Sequence, residues 1–151
     1  MKQILATITV AVTLVATSAS AFDPADLKKL KEANECLGCD LTNANLNLAV
    51  LRKANLSKAN LIRVKLNGAN LSYANLTEAK LTGAKLTNAI LRKANLRRAN
   101  LANADLTGAD LSEAKLSGAS LKEAILDYTI MDGAILCNTT MPDGSDIYSG
   151  C

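Results

Sequence analysis

The residues with the clearest chemical potential are four cysteines, Cys36, Cys39, Cys137 and Cys151. Cys36 and Cys39 form a Cys-x-x-Cys motif, which in redox proteins lies at a helix N-terminus, where the helix dipole lowers the thiol pKa. Here the motif follows a predicted helix, and no βαβ pattern surrounds it. A structural disulfide or a buried core role is therefore favoured, with thiol redox chemistry as the alternative.

The second cysteine pair lies at the end of the chain. An even number of cysteines in a secreted protein favours disulfides, and we predict that Cys137 bonds to Cys151 and holds the tail down. A zinc site is not favoured, because the chain has no His and its two cysteine pairs lie far apart. We predict neither a metal nor a cofactor.

A cluster of basic residues is the next feature that could bind something. It combines two short stretches, and its members are Arg52, Lys53, Arg92, Lys93, Arg97 and Arg98. Such a cluster could bind an anion, a lipid headgroup or an acidic protein.

Catalytic residues are scarce. Without His, the usual general base and the usual nucleophile–base–acid triad are absent. Glu78, Glu113 and Glu123 lie in polar stretches with no apolar pocket to raise a carboxyl pKa. We therefore predict that the protein is not an enzyme.

These residues sit on a repeat with a period of five. From Leu41 to Leu136 there are 20 consecutive positions at this spacing, and 19 hold Leu, Met131 being the exception. The residue two positions before each of these Leu positions is small, and it is Ala in 17 of 20 cases, as in Ala54-Asn55-Leu56. Neither a helix nor a straight strand keeps residues five apart on one face. Ala and Leu, two apart, share the face of a three-residue strand, and the chain must turn before the next Ala.

The turn positions agree with this interpretation. The second residue after Leu is often Gly or Asn, as at Gly68, Gly83, Asn88 and Asn103. These residue types tolerate the positive φ that many tight turns require. Short repeats in this number indicate a solenoid, with Leu and Ala inside and the other positions facing water. A helical interpretation of this Ala- and Leu-rich chain is the alternative.

The A-N-L-x-x pattern over residues 39–138 resembles the pentapeptide repeat family. The resemblance implies an all-β solenoid, a right-handed quadrilateral β-helix with four repeats per coil and about five coils. At a strand spacing of ~4.8 Å the rod would be roughly 24 Å long. The Cys-x-x-Cys-Asp-Leu stretch at 36–41 and the tail ending in Gly150-Cys151 are similar to those of exported cyanobacterial members.

Stacking in steps of 20 also offers a simpler interpretation of the basic cluster. It places Arg98 and Lys58 beside Glu78, and Lys93 between Tyr73 and Glu113. Such exposed pairs are worth about 0.2–1 kcal/mol each, and the cations would then form a solvated ladder rather than a binding patch.

The first 21 residues are typical of a secretory signal peptide. Lys2 precedes the apolar run from Ile4 to Val15, and Ala19-Ser20-Ala21 is a small-x-small cleavage site. Cleavage between Ala21 and Phe22 would remove one Lys and no acid, so the formal charge falls from +3 to +2. A retained membrane anchor is the alternative, although the run is shorter than the ~20 residues that span a bilayer.

Both ends of the solenoid need caps, because terminal coils expose apolar interior and free strand edges. At residues 22–38, Asp23 and Pro24 begin a helix whose apolar face holds Leu27, Leu30 and either Ala33 or Leu37. At residues 139–151 we expect an irregular tail, with a turn at Met141–Gly144, that covers three outward isoleucines. These are Ile125, Ile130 and Ile135.

Three functional hypotheses follow. The favoured one is a non-enzymatic, exported structural or protein-interaction module in the periplasm, the thylakoid lumen or outside the cell. Its partner would be an unknown protein, without nucleic acid or stable membrane insertion, and the chain would be a monomer or weak dimer. The alternatives are a DNA-mimicking topoisomerase inhibitor, which is disfavoured because mimicry requires an acidic rod, and a thiol-redox protein using Cys36 and Cys39.

Overall fold

A computed structural model describes residues 22–148 and 150–151. The signal peptide and its cleavage bond at Ala21 therefore lie outside the described residues. The described chain begins with helix α1, Pro24–Ala33. The Asp23 carboxylate caps its N-terminus by accepting a 2.8 Å hydrogen bond from the Ala25 amide. Asn34 ends the helix in the left-handed conformation.

After the helix the chain winds into a four-sided solenoid, and each full turn of it is called a coil. Parallel bridges join every fifth residue to the one 20 positions later, from Glu35↔Asn55 to Ser120↔Thr140. The residues between Ala and Leu carry these bridges, so one coil contains four repeats. Side 1 contains Glu35 and Ile135, which are five steps apart, or about 24 Å at the spacing of paired strands.

The sides are shorter than the predicted three-residue strands. Each contributes a single bridged residue, and the turn begins two residues later, directly after the Leu. Longer strands are excluded because a turn recurs every five residues. The two regular strands of the described chain, β1 at Thr139–Thr140 and β2 at Asp146–Ile147, form an antiparallel pair in the tail.

Leu and Ala fill the interior. Every Leu position from Leu56 to Leu121 is fully buried, and the Ala positions between them are buried as well. Full burial of one Leu side chain is worth about 1.5–3 kcal/mol. Near the C-terminal end of the solenoid, two Thr residues occupy the inward position that Ala holds in most repeats. Thr129 and Thr139 each donate a 2.8 Å hydrogen bond to a Leu carbonyl of the preceding coil, which satisfies the hydroxyl.

The turns use positive φ at the second residue after Leu, whatever its type. Lys53, Tyr73 and Glu78 adopt φ values of 60°, 61° and 59°, close to the 64° of Gly68. In each turn the following Ala amide donates to the Leu carbonyl, as Ala54 does to Leu51 at 3.0 Å. Gly and Asn therefore favour this conformation, but the stacked backbone also imposes it on larger residues.

Helix α1 covers the N-terminal end of the coil. Leu30 is buried in the core, and Leu27 packs against the core while partly exposed. Leu37, offered in the sequence analysis as an alternative member of this apolar face, is 59% exposed. It lies in the first turn of the coil, after the helix has ended, and so points away from the helix face.

The tail forms the C-terminal cap, but it covers one of the three isoleucines only. Gly150 lies beside Ile135, where an added Cβ would approach the Ile135 side chain to 3.6 Å. Ile125 and Ile130 each remain 47% exposed, so the prediction that the tail covers them is wrong. Because β2 pairs with β1 and Cys151 joins Cys137, the tail returns along side 1 and the next side, which contains Ser120 and Thr140. It does not reach the other two sides.

Candidate binding face

The predicted basic residues meet on one side of the rod. The segments 52–58, 72–78 and 92–98 stack directly on one another through the bridges Asn55↔Asn75 and Asn75↔Asn95. We call these three segments the basic face. It consists of side 1 and the corners on either side of it, and it contains all six residues of the predicted patch.

A column of Asn side chains forms the centre of the basic face. The Oδ1 atom of Asn55 accepts hydrogen bonds from the Ser57 amide and hydroxyl, and Asn75 is held in the same way by Thr77. Asn95 Oδ1 accepts from the Arg97 amide at 3.3 Å. These bonds use the amide oxygens within each repeat, and the Asn75 amide nitrogen also donates to Asn55 Oδ1 of the preceding coil at 3.5 Å.

Tyr73 lies at the corner that precedes side 1, and two cations contact its ring. The Arg52 guanidinium carbon lies 5.2 Å from the centre of the ring, and Lys93 Nζ lies 5.8 Å from it. The two cations come from the coils before and after Tyr73, and both lie over its ring. Tyr73 is 47% exposed, and contacts of this kind are worth about 0.5–1 kcal/mol at exposed sites.

Carboxylates pair with several cations of the basic face. Glu78 lies between Lys58 at 4.0 Å and Arg98 at 3.9 Å, and Lys93 Nζ lies 3.3 Å from Glu113. These are the contacts that stacking in steps of 20 predicts, and they support the solvated-ladder interpretation for these cations. In the described part of the chain, Lys53 and Arg97 have no carboxylate within salt-bridge distance.

Arg92 pairs with Asp110 on the neighbouring side, at 3.7 Å. Burial raises the pKa of Asp110, but hydrogen bonds from Ser112 and the charge of Arg92 outweigh it and hold the pKa below its usual value. Asp110 is therefore ionised at neutral pH. It forms an ion pair with Arg92, so the Arg92 charge is already neutralised before any external ligand binds.

Charge is distributed unevenly around the rod. The basic face holds seven Lys and Arg residues and one carboxylate, that of Glu78. The three corresponding segments across the rod, 62–68, 82–88 and 102–108, hold three cations and one carboxylate. The uneven distribution makes the basic face the most positive surface of these coils.

The Cys36–Cys39 pair is not placed for redox exchange. The structure joins the two sulfurs, and the residues are 0% and 3% exposed against the core. A substrate thiolate needs access to one sulfur, which burial prevents. Cys137 and Cys151 are joined at the other end of the rod. Among the described residues, no group of three or more Cys, Asp or Glu side chains is arranged to hold a metal ion.

One surface feature was not predicted from the sequence. Leu48 and Val50 are largely exposed near the start of the coil, beside an open groove of about 630 Å³ on another corner. The groove is lined by Asn47, Leu48, Asn67, Gly68, Thr87 and Asn88, and has no ionisable lining residue. Leu48 lies at a turn position where the neighbouring coils carry Gly or Asn, and this departure is the signal that could have revealed it.

Comparison with known proteins supports the same architecture. The profile for pentapeptide repeats matches residues 35–72, 74–112 and 104–141, with eight copies. The chain belongs to the pentapeptide repeat family. The solved structures similar to this pentapeptide repeat protein imply a right-handed quadrilateral β-helix.

Two of these structures are cyanobacterial pentapeptide repeat proteins. One, from Cyanothece 51142, is 35% identical, with a TM-score of 0.57 over 73% of this chain and 92% of the other. Another, from Nostoc PCC 7120, is 28% identical, with a TM-score of 0.59 over 76% and 94%. A search of curated proteins found no match. Across residues 22–148 and 150–151, no helix has the length and apolar character needed to cross a membrane.

Proposed function

We propose that this chain is an exported, non-enzymatic protein-interaction module that contacts its partner through the basic face. The observation that carries the proposal is the concentration of seven cations against one carboxylate on one side of a rigid rod. Because Leu and Ala fill the interior, contact with a partner falls to the outward side chains. Arg and Tyr, both present here, are among the residue types most enriched in the energetic centres of protein interfaces.

The two alternatives have less support. A DNA mimic must present a strongly negative surface, whereas three adjacent coils of this rod present a positive one. Thiol redox chemistry requires an accessible thiolate, and the only Cys-x-x-Cys motif of the chain is buried.

Export is the other part of the proposal, and it rests on residues 1–21. We expect the mature protein to begin at Phe22, after signal peptidase cleavage at Ala21. Intact-mass measurement of the protein recovered from the periplasm, thylakoid lumen or medium tests this expectation. An Ala21→Arg variant should retain the longer mass, since a large residue blocks the small-x-small site. Wild-type protein that keeps residues 1–21 in the membrane fraction would disprove cleavage.

Site-specific photo-crosslinking in the producing cell tests the interaction surface. Thr77 lies on the basic face and Thr107 on the diagonally opposite corner, and each hydroxyl donates a 2.7 Å hydrogen bond to the side chain two residues earlier. A photoreactive residue at position 77 should give a discrete adduct with a partner protein. The same residue at position 107 is the matched control and should give none. Adducts of equal yield at both positions, or none at position 77, would rule out the basic face.

A further inference from the structure

We infer that the partner of the basic face is a protein surface rich in Asp and Glu carboxylates. This inference rests on the proposed function and adds the chemistry of the partner. The basic face carries seven cations and one carboxylate, and its Asn oxygens already accept hydrogen bonds from Ser57, Thr77 and Arg97. A surface rich in Lys and Arg donors is complementary to an array of carboxylate acceptors.

The free cations of the face indicate where the carboxylates dock. Lys53 and Arg97 are exposed, lie at the two corners, and have no acidic partner in the described residues. The remaining cations are held by Glu78, Glu113, Asp110 or the Tyr73 ring. An incoming carboxylate can therefore reach Lys53 and Arg97 without breaking an existing ion pair.

The structure favours a protein over a lipid surface. Peripheral membrane binding combines cations with apolar side chains that enter the acyl boundary. Most exposed large hydrophobic residues of the described chain lie outside the basic face; they are Leu37, Leu48, Val50, Ile90, Ile125, Tyr128, Ile130 and Tyr148. On the basic face, Tyr73 alone is a large exposed hydrophobic residue, and it stands at a corner between two cations.

An acidic polysaccharide is disfavoured by the same tyrosine. Sugar rings stack on the flat face of an aromatic side chain, but Arg52 and Lys93 already lie over the Tyr73 ring. The ring therefore presents its edge and hydroxyl, which suit hydrogen bonding to a protein carboxylate.

The test uses the mature chain, residues 22–151, with both disulfides formed. The probe is poly-L-glutamate, and binding is measured by titration calorimetry at low salt and at 0.5 M salt. The variant is Lys53→Gln with Arg97→Gln, and the matched control is Lys65→Gln with Lys122→Gln. All four side chains are exposed, and each pair removes two positive charges, but the control pair lies outside the basic face.

We expect the Lys53/Arg97 variant to weaken poly-L-glutamate binding about tenfold and the Lys65/Lys122 control less than about twofold. High salt should weaken wild-type binding, because exposed charges are screened. An equal loss in the two variants would mean that net charge alone drives binding and would overturn the inference. Absence of wild-type binding would overturn it as well.

The same titration with phosphatidylglycerol vesicles and with polygalacturonate tests the other polyanions. Either one binding as tightly as poly-L-glutamate, with the same sensitivity to Lys53→Gln and Arg97→Gln, would contradict a protein carboxylate partner. Adducts at position 77 in cells together with no poly-L-glutamate binding would leave the interaction face intact and refute its acidic partner. Poly-L-glutamate binding without such adducts would refute the proposed function instead.

Discussion

Replacing Leu96 by arginine should remove most of the stability of the protein, whereas replacing the next residue, Arg97, by alanine should change it by at most about 0.5 kcal/mol. Leu96 is 0% exposed and points into a middle coil, while Arg97 is exposed on the corner that follows. Leu96→Arg buries a charge with no partner, which costs several kcal/mol, against a total stability of about 5–15 kcal/mol for a typical domain.

Denaturant unfolding followed by circular dichroism measures both changes. If Leu96→Arg does not fold, Leu96→Ala provides the graded measurement, with an expected loss of about 2–5 kcal/mol from the cavity it leaves. Arg97→Ala is the matched surface control, since it alters the adjacent position of the same repeat. Similar losses for Leu96→Ala and Arg97→Ala would show that the assignment of inward and outward positions is incorrect.

Removing the Cys137–Cys151 bond should loosen the C-terminal cap while the central coils stay folded. The closed loop spans 14 residues of sequence, and such a crosslink contributes roughly 3 kcal/mol by restricting the unfolded chain. Without it, β2 is held to β1 by two residue pairs only, and we expect residues 143–151 to detach. Residues 139–142 keep their hydrogen bonds to the preceding coil and should loosen without leaving it. The coil before the cap, residues 121–136, should then lose hydrogen-exchange protection.

The variant Cys137→Ser with Cys151→Ser isolates this effect, because it leaves Cys36 and Cys39 unchanged. Hydrogen exchange of the variant and the wild type, both without reductant, gives the comparison, and non-reducing peptide mapping of the wild type checks the linkage. Size-exclusion chromatography should show end-to-end association through the uncovered edge. Unchanged protection of residues 121–136 in the variant, or a Cys36–Cys151 linkage in the wild type, would refute this prediction.

How much the sequence can predict depends on whether a residue belongs to the repeat. The spacing of Leu and Ala places Leu96 inside and Arg97 outside, and steps of 20 bring Lys93 to Glu113, because every coil obeys the same geometry. The pattern cannot predict the positive φ of Tyr73 from its residue type. Stacking of the coils imposes that conformation, so a tertiary constraint overrides local preference.

The structure of the two caps cannot be predicted from the repeat pattern. Exposed isoleucines at Ile125 and Ile130 suggested a cover, since apolar side chains usually seek one, but the path of the tail depends on where β2 pairs and where Cys151 can reach. The same limit explains Leu37, whose burial depended on where α1 ends. The basic face could be predicted in part from the sequence. The sequence identified its six patch residues, but the pairing that leaves Lys53 and Arg97 free emerged from three-dimensional contacts.

The spacing of 20 residues between stacked positions also restricts how such a rod can evolve. Loss or duplication of 20 residues shortens or lengthens it by one coil, about 4.8 Å, and keeps every later residue on its own side. Insertion of a single five-residue repeat preserves the buried leucines equally well, yet rotates everything beyond it by a quarter turn. Between residues 58 and 92 such an insertion would carry Arg92–Arg98 away from Arg52–Lys58. The core tolerates five-residue changes, whereas an aligned surface tolerates only multiples of 20, so a composite surface can be lost by insertion without any loss of fold.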